Sequence, residues 1–114
     1  MNLIATTTVN GKTSVQSVTT SPIAIVTNDL ASGKTIKINA LYISNVDGTN
    51  AADITVDFYR NSTAYHILST VGIVADATLD VISKSIYLEE GDSLRLTASV
   101  TGDLQAVCSY EELS

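Results

Sequence analysis

Ile, Val and Thr recur along this chain in runs of about five to ten residues, each cut short by Gly, Asn, Asp or Ser. No segment keeps a helical period. Because successive side chains of a strand point to opposite faces, such runs fold by placing one face in a core and the other in water. From Asp53 to Tyr59, Ile54, Val56 and Phe58 alternate with Asp53, Thr55, Asp57 and Tyr59. From Ser93 to Val100, Leu94, Leu96, Ala98 and Val100 face one way, and Ser93, Arg95, Thr97 and Ser99 the other. Leu104, Ala106, Cys108 and Tyr110 form the inward set of a last strand. Thr35 to Ser44 is apolar on both faces at its end, with Ile36, Ile38, Ala40 and Tyr42 on one face and Leu41 and Ile43 on the other. That pattern predicts a central strand, or one whose second face meets a partner. Between Leu79 and Leu88 the apolar phase slips, which predicts a β-bulge near Val81-Ile82.

The turns punctuate these runs. Asn10-Gly11, between Thr6–Val9 and Lys12–Val15, carries the strongest short hairpin signal, since both residues tolerate positive φ. Asp47-Gly48-Thr49-Asn50, Asn61-Ser62-Thr63, Glu90-Gly91-Asp92 and Thr101-Gly102-Asp103 predict four more reversals. Pro22 is placed at the start of a strand, where its missing N–H costs least. About eight strands at spacings of roughly 10–12 residues predict an all-β fold, a single antiparallel β-sandwich, either jelly-roll-like or immunoglobulin-like. Residues 1–12 are expected to form an N-terminal arm or first hairpin strand, and residues 13–114 the sandwich.

At 114 residues the chain suits one domain, and surface scaling lets it bury roughly two thirds of its unfolded surface. Its 45% apolar and 16% charged content excludes intrinsic disorder. With no tryptophan and 5% aromatics, the core must rest on Ile, Val, Leu and Ala. A single cysteine, Cys108, excludes an internal disulfide framework and a cysteine-based zinc cluster. No apolar run reaches the ~20 residues of a membrane helix, and Met1–Thr6 lacks the basic and apolar regions of a secretory signal. The net charge of −6 argues against nucleic-acid partners, and no membrane partner is expected.

Catalytic chemistry finds no foothold in the pattern. The single histidine, His66, lies opposite Tyr65 and Ile67 in a strand-like run, which predicts a surface or interface position. Cys108 falls in phase with Leu104 and Ala106 and reads as a small core hydrophobe. Gly33-Lys34-Thr35 resembles the end of a phosphate loop, but Asn28 stands where the leading glycine belongs. Asp47, Asn50 and Asp53, and Glu89, Glu90 and Asp92, gather carboxylates at two turns without the spacing of a calcium loop. They read as solvated turn residues. No catalytic residue, cofactor or metal is expected.

Lys34–Asn45, the turn Asp47–Asp53, and Ile86-Tyr87-Leu88-Glu89-Glu90-Gly91-Asp92-Ser93-Leu94 resemble small virion structural proteins of tailed bacteriophages, cyanophage-type viruses in particular. The resemblance runs from about Lys12 to Glu112. It implies a β-sandwich that decorates the capsid or builds the neck, tail or baseplate, and it transfers no catalytic residues. The expected partners are copies of the chain itself, with a trimer around a lattice axis the expected oligomer, and other virion proteins such as the major capsid protein or tail proteins; the location is the virion. Leu41, Ile43, Val107 and Leu113 fall outside the tidy inward phase and, with Tyr59, Tyr65 and His66, form the expected interface set. A carbohydrate-binding or host-recognition module is the other binding role that exposed Tyr and Asn loops suit, although the lack of tryptophan weakens it.

Overall fold

The structure is a computed structural model and describes residues 8–114; of the expected N-terminal arm, residues 1–7 lie outside the described residues. Nine strands follow one another: β1 (Val9–Ser17), β2 (Ile23–Thr27), β3 (Thr35–Asn45), β4 (Ala52–Arg60), β5 (Thr63–Ile73), β6 (Thr78–Asp80), β7 (Ile86–Leu88), β8 (Ser93–Ala98) and β9 (Leu104–Leu113). One sheet runs β1-β9-β3, with β6 and β7 both pairing to the far edge of β3; the other runs β2-β8-β4-β5. All pairings are antiparallel. The chain changes sheet at almost every step, and β4–β5 is the one hairpin of consecutive strands among the described residues. If β6 and β7 are counted as one interrupted strand, this is the strand order of an eight-stranded jelly roll. An immunoglobulin-like order would pair the first two strands, and here they lie in different sheets.

The two sheets press together a core of aliphatic side chains. Ile36, Ile38, Leu41, Ile43, Leu104, Ala106 and Cys108 come from the first sheet, and Ile54, Val56, Leu94, Leu96 and Ala98 from the second. The inward sets expected for β4, β8 and β9 are the ones found, except that Val100 lies beyond the end of β8 and is exposed.

Three local expectations are corrected. Asn10-Gly11 makes no hairpin: β1 runs straight through it, with Asn10 opposite Glu112 and Gly11 opposite Glu111. Neither residue has positive φ, and among the described residues β1 runs from Val9 to Ser17. In β3 the register slips between Ile38 and Ala40, leaving Asn39 as an extra residue. That bulge inverts the facing of everything after it. Leu41 and Ile43 are fully buried, and Tyr42 faces out. Finally, the phase slip after Leu79 is an interruption rather than a bulge. β6 and β7 are separate three-residue strands, and Ile82 between them tucks into the core.

Candidate interaction surface

Two buried asparagines fix the ends of the sandwich. The Asn28 amide donates to the carbonyls of Lys34 and Leu88 at 2.9 and 3.0 Å, while its Oδ1 accepts from Ser32 Oγ. At the other end of β3, the Asn45 amide donates to the carbonyls of Asn50 and Ile73, and its Oδ1 accepts from Asp47 N–H. The loops leaving β2 and β3 are thus held by side chains where no ladder reaches.

The carboxylate clusters act within the fold. Asp47 Oδ1 caps the β3–β4 turn, accepting from the N–H groups of Thr49 and Asn50. These bonds hold its carboxyl below the usual range. Partial desolvation and the neighbouring Asp47 push Asp103 the other way. Asp92 is almost fully buried. It receives Arg60 Nε and Nη2 at 2.8 and 2.6 Å and Glu89 N–H at 2.8 Å, so the carboxyl is depressed, first by the arginine. Glu112, with its side chain only 13% exposed, bridges Lys12 and Lys34 at 3.1 and 3.2 Å, and its pKa is lowered, chiefly by Lys12. Lys34 of the would-be phosphate loop is therefore an ion-pair partner.

On the outer face of the β2-β8-β4-β5 sheet, Arg95 donates through Nε to Asp57 at 2.9 Å and lies 3.8 Å from the centroid of the Tyr59 ring. Asp57 is buried beneath this cover. The guanidinium covers one face of the Tyr59 ring. His66, opposite Asp57 in register, and Tyr65 are exposed on β5. Cys108 points into the core from the other sheet, and burial raises its thiol pKa to about 12. His66 and Cys108 are thus not brought together. Leu113 is half-buried at the end of β9, between Val9 and Thr35.

The outer face of the other sheet is different in kind. Val15 on β1 stands opposite Val107 on β9, and Val107 stands opposite Tyr42 on β3. The three are 71%, 42% and 44% exposed and form one apolar row across three strands. Val107 was expected at a surface from the alternation of β9. The outward facing of Tyr42 is hidden in sequence by the Asn39 bulge, and that of Val15 by the false turn at Asn10-Gly11. Leu41 and Ile43, expected in this surface, are core residues instead.

No protein-family model matches the chain, and no curated protein matches it. Among solved structures, a subunit of Bacillus endospore appendages, described as a novel family of disulfide-linked pili, is similar over 94% of this chain and 87% of its own. The TM-score is 0.55 and the identity 13%, a likeness of fold.

Proposed function

We propose that this protein is a non-enzymatic structural subunit that works by binding to copies of itself and to a larger assembled lattice, most concretely as a capsid decoration subunit of a tailed-phage virion. The observation that carries the reading is the Val15–Val107–Tyr42 row. Three large apolar side chains held in register on a stiff sheet are suited to a protein contact. Each copy makes a modest contact, and symmetric repetition multiplies it. The ionisable groups of the described residues lend support, because the close pairs tie turns, strand ends and, through Asp57 and Arg95, neighbouring strands. A charge of −6 keeps the body away from packaged DNA and favours the outside of a particle. The jelly-roll order is shared by viral capsid domains, by lectins and by enzymes, so the fold alone does not choose among them.

The pilus likeness supports the same general role in a subunit that assembles. Disulfide linkage does not carry over easily, since Cys108 is enclosed in the core.

The test is co-sedimentation of the purified chain with emptied phage capsids and, separately, with isolated tails, for the wild type and for Val107→Asp. Capsid binding lost in the variant is the expected result. Binding to tails alone moves the subunit to the tail. A chain that stays monomeric, ignores both particles and binds a glycan array overturns the reading in favour of a sugar-recognition module.

A further inference from the structure

The sandwich has four strand edges, and three of them are blunted. β2 follows Pro22 and carries a register shift between Ala24 and Val26. β5 carries two register shifts and a positive φ at Thr70. β6 and β7 are three residues each. Short strands, bulges and prolines are the devices by which sheet edges avoid pairing with other chains. β1 has none of them. It is nine residues long, pairs with β9 without a register shift, and lies at the edge of its sheet. Its single charge, Lys12, is the one edge-blunting device it does carry, and its ammonium is held back on β9 by Glu112 at 3.1 Å.

The ladder shows which groups are on offer. Thr8 and Ser114 exchange both main-chain bonds, and at the other end Val18 N–H donates to the Leu104 carbonyl. Antiparallel pairs alternate, so Val9, Gly11, Thr13, Val15 and Ser17 turn their N–H and C=O groups away from β9. Among the described residues these groups have no strand beside them.

We infer that β1 pairs antiparallel with β1 of a second copy, about a two-fold axis at Thr13, joining the two sheets into one. This rests on the assembly reading above and adds a contact between copies at the sheet edge, beside the Val15–Val107–Tyr42 face that meets the particle. The choice of a second copy follows from the strand itself. With the axis at Thr13, the outward-pointing residues 9, 11, 13, 15 and 17 meet 17, 15, 13, 11 and 9 of the partner. Every free main-chain group then finds a mate. Lys12 faces Ser14, so no like charges oppose each other. None of the chain's twelve carboxylates lies on β1 itself; the nearest in register, Glu111 and Glu112, stand one strand in, on β9, and Glu112 is paired with Lys12 and Lys34. The contact is isologous, as a two-fold requires, and differs from the three-fold closure expected from sequence.

Thr13→Lys and Thr13→Glu each place like charges face to face on the axis. Sedimentation of the full chain is expected to show a wild-type dimer, roughly tenfold weaker association in either variant alone, and recovery in an equimolar mixture of the two. Should either variant lose its β-sheet circular dichroism, Thr13→Cys is the second probe. Oxidation is expected to give a covalent dimer, and Thr63→Cys on β5 is expected to give none. Self-association that persists unchanged in both charge variants, or that disappears on deleting residues 1–7 while both charge variants still associate, overturns the β1 contact and leaves the assembly reading standing. A wild-type trimer that Thr13→Lys does not disturb does the same. A wild type that is monomeric at high concentration and binds no particle overturns both.

Discussion

Asn28 and Asn45 sit at opposite ends of β3 and make the same set of bonds: each donates its amide to two main-chain carbonyls and accepts one hydrogen bond from its own loop. Both are almost fully buried, at 1% and 2% exposure. Carbonyls at the sandwich ends would otherwise be removed from water without partners. Such groups cost free energy when left unpaired, by about 1–3 kcal/mol each. The pair explains how a jelly roll with short outer strands closes its ends.

Asn28→Ala is therefore expected to destabilise the fold by about 2 kcal/mol or more, because Lys34 and Leu88 lose their donor. Asn45→Ala should cost a similar amount. Urea denaturation of the two single variants checks the size. The double variant should come close to the sum, since the sites share no partner.

The acid limb of stability should belong largely to Asp92 and Glu112. Their carboxyls titrate below the ordinary value, through Arg60 and Lys12 respectively. A depressed folded-state pKa gives stability that is present above the unfolded value and lost as pH falls through the folded one. Asp103, raised by desolvation and by Asp47, contributes in the opposite sense: its term is full below the ordinary carboxylate value and fades as pH rises. Stability is expected to fall from about pH 5 downward. Asp92→Asn should flatten that fall while lowering stability at neutral pH. Thermal melts from pH 7 to pH 2 measure both.

Much of this architecture is legible in the alternation of β4, β8 and β9, where one apolar phase runs the length of the strand and no competing signal interferes. β3 is harder because its apolar phase changes along its length, with Ile36 and Ile38 on one phase and Leu41 and Ile43 on the other. Asn39, extra in the register, decides between them, and only its pairing with β9 shows that the inward set switches from Ile36 and Ile38 to Leu41 and Ile43. Asn10-Gly11 misleads for a related reason. A local turn preference is weak beside a full ladder to β9, whereas Asn61-Ser62, with φ of 51° and 61°, does form the tight turn. The apolar row could not be read in advance, because it depends on the register of three strands distant in sequence.

Tyr42→Asp and Val107→Asp change exposed side chains and should leave the monomer's stability within about 0.5 kcal/mol. Both should weaken binding to the assembled particle, because each places a charge in the Val15–Val107–Tyr42 row. Val74→Asp, at an exposed position between β5 and β6, is the control and should have no such effect. Co-sedimentation with capsids beside thermal melts separates loss of contact from loss of fold.

Cys108 distinguishes this chain from an assembly held by disulfides. It is the chain's single cysteine, it is fully buried, and its thiol pKa is raised to about 12 by burial. The thiolate is the reactive form, and it is both scarce and inaccessible in the folded protein. A thiol reagent such as dithionitrobenzoate should label the native chain only as fast as it opens, and label it at once in denaturant. Any oligomer should keep its size in excess dithiothreitol, because no second cysteine is available to close a chain of links. Dissociation by the reductant would mean that Cys108 leaves the core during assembly, and that β9 repacks to release it.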